Sequence, residues 1–334
     1  MFKKSYQIEG VETVLVADLI VYKLTNGELH AIGNKSVKIA EEVFSYRLDG
    51  RHIFLQEENL GNLIRIDSTN FHTDKIEGAF SLRGAFYVDD QNIYILGKNE
   101  GKKVVYVLNK KSLTVKIKTD YRCFPSITTS KGCICKIKLE LQYISSLLHQ
   151  LFWTYSFPEG EKVMGDIFLH ENVLLVPSMA GQMPNNRNYL QGVDVNTGKE
   201  IWKNEEYFLH LQQHKTSGLL YGFAGEKYQV IDPITGNKMI DKKFVGLKEE
   251  KRLQVYQGMS RIYEDGLYFI SDYVENHYDC QFGMINTETH EIEFIQKLDV
   301  AKGVKADPPI YHKGSLYIKD SLDTLHVYGA EKVL

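Results

Sequence analysis

Residues 192–202 read Gly-Val-Asp-Val-Asn-Thr-Gly-Lys-Glu-Ile-Trp, and this stretch decides the fold. Val193 and Val195 alternate with polar neighbours, which is the period-two pattern of a half-buried strand. The side chain of Asp194 can accept hydrogen bonds from the backbone of a turn, and Gly198 can adopt a positive φ without steric penalty. An apolar pair then begins a second strand, so the stretch predicts a strand, a tight turn and another strand.

Weaker copies of this unit recur along the chain at intervals of about 40 residues or a multiple of that. Five copies have a turn after a short apolar strand: Thr25-Asn26-Gly27, Ser68-Thr69-Asn70, Asn109-Lys110-Lys111, Ile234-Thr235-Gly236 and Asn286-Thr287-Glu288. A degenerate copy is expected near Ser146–Gln150, and extrapolation places a last one near Tyr328–Ala330. A repeat of this length with several strands per copy is typical of propeller blades.

A second hairpin precedes the turn in most copies. It is visible in Arg47–Leu55, Tyr87–Leu96, Phe168–Val176, Tyr263–Ile270 and Tyr311–Ile318. Each copy therefore has four strands, and we predict an all-β fold, a single β-propeller domain spanning residues 1–334. Eight four-stranded antiparallel blades are favoured over seven. The last copy lacks an outer strand, which Lys4–Ile8 could supply, so we expect both termini to close the ring and remove exposed sheet edges.

The repeat resembles that of the PQQ-like (quinoprotein alcohol dehydrogenase-like) β-propellers. The pattern hydrophobic-x-Asp-x-x-Thr-Gly-x-x-x-Trp fits Val193–Trp202, and Asp232 and Thr235-Gly236 stand in register in the next copy. The resemblance implies the fold but no particular activity, because such propellers serve many purposes. The quinone enzymes of this family use calcium and often a vicinal disulfide. Cys133-Ile134-Cys135 is not vicinal, and we expect no cofactor.

Charge and composition narrow the function classes. The 334 residues carry 40 basic and 43 acidic side chains, a formal net charge of -3, which argues against a surface that follows nucleic acid phosphates. No apolar run is long enough for a signal peptide or a membrane helix. Four cysteines are too few for a disulfide framework. These features predict a cytoplasmic protein, and we expect a monomer.

Several motifs could bear chemistry, but a structural role explains each of them better. Cys133 and Cys135 lie two apart in an apolar strand and are expected in the core. His210 and His214 would lie about 13 Å apart on a strand, too far for one ion, so no metal site is predicted. The segment Leu139–Trp153 is either two tightly joined strands or a short helix that replaces the hairpin. Trp202, like the tryptophan that ends this segment, is expected to pack in the core.

Loop length is the feature that bears most on function. Three loops between second and third strands are predicted to be long, namely Gly97–Lys103, Met179–Asn188 and Asp272–Cys280, and they should share one face with the blade-to-blade connections. Loops with exposed Tyr, Arg, Met and Asn side chains often bind partners. The candidate partner-binding residues are Met183, Asn185, Asn186, Arg187, Tyr273, Asn276, His277 and Tyr278.

Two functions are therefore open. We expect a non-enzymatic propeller that binds another protein, as a scaffold or as an inhibitor or immunity-type protein, with no catalytic residues. The alternative is a small-ligand or carbohydrate-acting enzyme whose site lies at the mouth of the central channel, the usual concave place in such folds.

Overall fold

The computed structural model describes residues 2–33, 36–57, 61–78, 80–120, 124–137, 139–148, 150–181, 186–205, 207–244, 255–271 and 280–330. These residues form strands, turns and irregular segments, and no helix among them could span a membrane. The strands of the first half are β1 Phe2–Ile8, β2 Val11–Val16, β3 Ile20–Leu24, β4 Leu29–Ile32, β5 Ser36–Ala40, β6 Val43–Asp49, β7 His52–Glu57, β8 Leu63–Asp67, β9 Thr73–Ile76, β10 Phe80–Val88, β11 Asn92–Asn99, β12 Lys102–Asn109, β13 Val115–Asp120, β14 Pro125–Thr128, β15 Gly132–Ile137, β16 Glu140–Ser145 and β17 Leu151–Ser156. Those of the second half are β18 Glu161–Val163, β19 Phe168–His170, β20 Val173–Ala180, β21 Arg187–Asp194, β22 Glu200–Glu205, β23 Gln212–Gln213, β24 Leu220–Ala224, β25 Lys227–Ile231, β26 Lys238–Lys243, β27 Ser260–Ile262, β28 Gly266–Ser271, β29 Gln281–Asn286, β30 Ile292–Lys297, β31 Ile310–His312, β32 Ser315–Lys319 and β33 Leu325–Ala330.

The strands form eight antiparallel sheets, each four strands wide. In the sheet β18–β22, which has five strands, β18 and β19 share one position. The chain divides into two compact units, residues 10–154 and residues 1–9 with 155–334. The first unit holds the sheets β2–β5, β6–β9, β10–β13 and β14–β17. The second holds β18–β22, β23–β26, β27–β30 and the sheet β1-β33-β32-β31. In its first sheet, β18 and β19 both pair with β20, so two short strands share the inner position. A single domain over residues 1–334 stays a prediction.

The predicted count of eight blades is confirmed, and so is the origin of the last outer strand. β1 pairs antiparallel with β33, with Phe2 opposite Ala330 and Ile8 opposite Leu325. The predicted turn at Tyr328–Ala330 is wrong, because these residues belong to β33 itself. The sheet needs no turn there, since its fourth strand comes from the other end of the chain.

The repeated turn is an Asp or Asn turn. Oδ1 of Asp194 accepts hydrogen bonds from the backbone N–H groups of Asn196 and Thr197, at 3.0 and 2.8 Å, and Gly198 has a φ of 70°. The same pair of bonds occurs in three further sheets at Asn109, Asp232 and Asn286, and Asp67 keeps one of them, from the N–H of Thr69. In each sheet this turn joins the third strand to the outer one.

Two other turn predictions had different outcomes. Residues 25–28 join β3 to β4, the second and third strands of their sheet, so placing Thr25-Asn26-Gly27 in the repeat register was wrong. Its local chemistry is similar, because Oδ1 of Asn26 accepts from the N–H of Glu28, and such a turn can serve either hairpin. The degenerate copy at Ser146–Gln150 does join β16 to β17, so Leu139–Trp153 forms two strands.

Burial follows strand position. β28 is buried at all six residues, whereas β26, the outer strand of the neighbouring sheet, alternates between exposed and partly buried residues. Between these two sheets the ring centroids of Phe223 and Phe269 lie 5.1 Å apart. Such a buried strand has a continuous apolar sequence because the neighbouring sheets cover both of its faces.

Trp202 explains why the repeat ends in tryptophan. Its partner across β21 and β22 is Gly192, and a Cβ at Gly192 would lie 2.4 Å from the indole. The indole also reaches the turn of the next sheet, where Nε1 donates to the carbonyl of Ile234 at 2.7 Å and the ring lies against Gly236. One side chain therefore holds two consecutive sheets together.

Candidate functional site

The structure describes two of the eight predicted partner-binding residues. Arg187 is the first residue of β21, and Asn186 directly precedes it. The other six lie outside the described residues: Met183, Asn185, Tyr273, Asn276, His277 and Tyr278.

One of the three predicted long loops does not exist. Residues 97–103 belong almost entirely to β11 and β12, which pair up to Asn99 and Lys102. Glu100 and Gly101 form a two-residue turn with φ values of 50° and 80°, a conformation that closes a tight hairpin. The loop beginning at Asp272 lies outside the described residues as far as residue 279. Of the two remaining predicted loops, the one after β20 therefore has described residues at both of its ends.

Three chain segments meet at the base of that loop and enclose a cleft of about 380 Å³. Asn186 and the first two residues of β21, Arg187 and Asn188, form one wall. Glu205 at the end of β22, with Tyr207 and Phe208 of the connection after it, forms the second, and Gln257, before β27, completes the lining. A loop between second and third strands thus shares this face with two connections between sheets, as predicted for this region.

Hydrogen bonds and packing hold the connection after β22 in place. The Tyr207 hydroxyl donates to the carbonyl of Gly236 at 2.5 Å, and burial raises the pKa of this phenol, which keeps it protonated. Phe208 packs on Gly222, where an added Cβ would lie 2.4 Å from the ring. The side-chain oxygen of Gln257 accepts from the N–H of Leu209 at 3.0 Å. The walls of the cleft are therefore fixed by contacts within this unit.

The rim of the cleft is charged and solvated. Arg187 and Glu205 face each other across β21 and β22 with an N–O distance of 3.8 Å, and their side chains are 71% and 55% exposed. An exposed pair at this distance contributes little to stability. Both groups remain available to a partner, and Tyr256, 44% exposed, lies next to Gln257 in the chain.

Beneath the rim, a polar network crosses the sheet. The buried Glu161 of β18 accepts hydrogen bonds from Ser178 at 2.5 Å and from Gln191, and its other oxygen lies 2.6 Å from the ammonium of Lys203. One residue from each strand takes part, so the strands are held in register. The ammonium of Lys203 also lies 4.5 Å from the ring centroid of Tyr189, a favourable cation–π geometry.

The motifs that were interpreted as structural occupy structural positions. Cys133 and Cys135 are both buried in β15. Nδ1 of His214 lies 2.9 Å from the Ser217 hydroxyl, within the turn before β24. Within the described part of the chain, no three His, Cys, Asp or Glu side chains are grouped so that they could hold a metal ion.

Sequence reasoning missed Glu205, Tyr207, Phe208 and Gln257. The adjacent aromatic residues after β22 were a usable signal, since connections between sheets lie on the same face as the long loops. Nothing in the sequence around Gln257 indicates that it would reach a segment almost 50 positions away.

No protein-family model matches the chain, and neither does any curated protein. Solved structures do resemble it. BamB from Moraxella catarrhalis is 13% identical, with 100% of this chain and 99% of that chain covered and a TM-score of 0.62. The dihydro-heme d1 dehydrogenase NirN in complex with DHE is 13% identical, with 95% and 76% covered and a TM-score of 0.57. A europium-containing methanol dehydrogenase is 8% identical, with 95% and 84% covered and a TM-score of 0.51.

These likenesses define the class of fold. Together with the eight four-stranded sheets, they identify the chain as an eight-bladed β-propeller. The fold is of the PQQ-like type, which confirms the resemblance seen in the repeat. At such low identity the likeness extends to the fold and not to an activity.

Proposed function

We propose that this propeller is a protein-binding module and that its partner docks on the cleft beside Arg187. The observation that carries the proposal is the convergence of three segments, the loop before β21 and two connections between sheets, on one fixed cleft with a charged rim. Protein-binding surfaces are enriched in aromatic residues and arginine, and this cleft has both.

The chemistry of the cleft suggests how a partner would be held. The partly exposed Phe208, held beside the buried Tyr207, offers aromatic area that is already ordered, so little conformational entropy is lost on docking. The exposed Arg187 guanidinium has five donors arranged in a plane and fits a carboxylate of the partner. We therefore expect an inserted loop of the partner that carries an acidic side chain. The cytoplasmic location, the monomeric state and the enzymatic alternative stay predictions.

The test is a pull-down from host lysate followed by cross-linking mass spectrometry. The wild-type protein is compared with Arg187→Glu, which reverses the charge at the rim. Lys199→Glu is the matched control, because Lys199 is exposed at the opposite end of the same hairpin, next to the turn between β21 and β22.

A partner that is retained by the wild type and by Lys199→Glu, is lost with Arg187→Glu and cross-links next to the cleft would support the proposal. Equal retention by both variants would exclude this surface. If the wild-type protein retains no partner, the protein-binding function itself is contradicted.

A further inference from the structure

A second and larger cleft, of about 620 Å³, lies in the unit of residues 10–154. It lies between the sheets β6–β9 and β10–β13, at the end where their first and last hairpins turn. Five basic side chains and three carboxylates line it, a net of two positive charges with the histidines neutral: Arg51, Arg65, Lys110, Lys111, Lys116, Asp67, Asp74 and Asp90. A net basic cleft in a chain with a net acidic charge is a local feature that the overall composition hides.

Three of the five cations are neutralised by carboxylates. Nε of Arg51 lies 3.3 Å from Asp67, and the guanidinium of Arg65 lies 2.6 Å from Asp74. Lys110 lies 3.0 Å from Asp49, behind the cleft. These pairs fix the walls and leave little charge for a ligand.

The two remaining lysines are not neutralised. Among the described residues, Lys111 and Lys116 have no carboxylate within 4 Å; the ammonium of Lys116 donates to the neutral Oδ1 of Asn92 at 2.7 Å. Both side chains are exposed, and both line the same cleft. Lysine is a common phosphate ligand that acts as a point charge.

The turn that carries Lys111 is held rigidly. One guanidinium nitrogen of Arg65 donates to the carbonyls of Lys110 and Lys111, at 3.0 and 3.3 Å. Oδ1 of Asn109 accepts from the backbone N–H of Lys111 at 2.9 Å. The position of the lysine backbone is therefore set before any ligand arrives, which lowers the entropy lost on binding.

We propose that this cleft binds a small phosphorylated polyol, a sugar phosphate in chemical class, with its phosphate on the ammonium groups of Lys111 and Lys116. The volume is that of a small-molecule site. Asp90 and Gln91 line the same cleft and can hydrogen-bond the hydroxyl groups of a polyol. Inorganic phosphate has no polyol part, so it would leave these two side chains unused.

His52 supports this electrostatic picture and supplies a reporter. Burial, and then the charges of Arg65 and Arg51, lower the pKa of this histidine, and the nearby carboxylates of Asp67 and Asp49 oppose this with smaller effects. An anion placed in the cleft stabilises the imidazolium, so bound phosphate should raise the pKa of His52. By linkage, affinity should then increase as the pH falls through that pKa.

The experiment is calorimetric titration of the full chain with glucose 6-phosphate, inorganic phosphate and glucose at constant ionic strength. The NMR titration of His52 is followed with and without each compound. The test variant is Lys111→Gln with Lys116→Gln. The control is Lys102→Gln with Lys103→Gln, which removes the same charge at the opposite hairpin of β12, where both lysines are exposed.

We expect saturable binding of glucose 6-phosphate, weaker binding of phosphate, and a raised pKa of His52 with both. The test variant should bind at least about tenfold more weakly, because it loses two charge-assisted hydrogen bonds. The control should bind like the wild type. An equal loss in both variants, an unchanged pKa of His52, or equal affinity for phosphate and glucose 6-phosphate would overturn the proposal.

Discussion

The Nε2 atom of His326 lies 2.8 Å from Oδ2 of Asp320, and both side chains are almost wholly buried. Oδ1 of the same carboxylate accepts from the backbone N–H groups of Leu322 and Thr324, each at 2.9 Å. One buried carboxylate thus satisfies three donors in the turn between β32 and β33. Asp320 therefore supplies the acceptor atoms that hold this hairpin in its conformation.

Asp320→Ala should lower the free energy of unfolding by ~3 kcal/mol, because it leaves three donors without their acceptor, one of them a buried imidazole. Urea denaturation measures the change. Asp323→Asn is the control, since the side chain of Asp323 is 47% exposed where it pairs with Lys319 and asparagine tolerates its positive φ. An Asp320→Ala protein as stable as the control would show that the carboxylate is not needed.

Trp202→Ala should destabilise the protein by ~3 kcal/mol through lost packing against Gly192 and Gly236. Trp202→Phe should keep part of the packing but lose the hydrogen bond to Ile234, which contributes ~1 kcal/mol, so its loss of stability should be smaller than that of Trp202→Ala. Ile201→Ala is the control, because Ile201 is 51% exposed. Denaturation followed by circular dichroism distinguishes the three, and equal midpoints for Trp202→Ala and Ile201→Ala would refute the inter-sheet role.

Gly192→Ala should lower the free energy of unfolding only when the Trp202 indole is present. The new methyl group would meet the ring of Trp202 in the wild-type background. In the Trp202→Ala background the space is empty, so the same change should be nearly neutral. A double-mutant cycle measures this coupling, and additive effects would contradict the predicted contact.

The ion pair between Lys4 of β1 and Asp299 should make stability depend on acid pH. Its distance is 2.9 Å, and the hydrogen bond from Lys4 lowers the pKa of Asp299. A carboxyl group with a lowered pKa in the folded state stabilises above its unfolded value of about 3.9, and this stabilisation disappears as the pH falls through the folded value.

Asp299→Asn should therefore be less stable than the wild type near pH 7, with a gap that closes below about pH 4. Added salt should narrow it as well, because the carboxylate is exposed. Glu9→Gln removes an equal charge from an exposed position just after β1 and should show no such pH dependence. If the stability difference between the wild type and Asp299→Asn does not vary with pH, the ion pair does not contribute to stability.

Removal of residues 2–8 should leave β33 as an unpaired edge, since β1 covers it from Phe2 to Ile8. We expect concentration-dependent self-association in size-exclusion chromatography, as exposed edges pair with other chains. A synthetic peptide of residues 1–9 should restore the monomeric elution position of the truncated protein. Truncation without association, or no effect of the peptide, would argue against this role.

The repeat was readable from sequence because its turn chemistry is local. Asp194 and Gly198 specify their turn through atoms only a few positions away, so the period of about 40 residues, and from it the number of blades, could be read from such turns although two of the copies were misplaced. The role of a turn within its sheet is not local, and for that reason Asn26 was assigned to the wrong hairpin.

The candidate sites depended even more on distant residues. Arg187 was found from its loop, but its cleft needs Gln257, and the basic cleft needs Arg65 to reach the carbonyl of Lys111. No pattern within one repeat encodes such contacts, because they depend on how neighbouring sheets pack.

The pairing of β1 with β33 also constrains how the chain folds. Phe2 and Ala330 are partners although nearly the whole sequence separates them, whereas the strands of the other sheets meet close neighbours in the chain. Closure of so long a loop carries a large entropy penalty before any contact compensates for it. The seven local sheets can therefore form while the chain is being synthesised, and β1 must wait unpaired until β33 has left the ribosome.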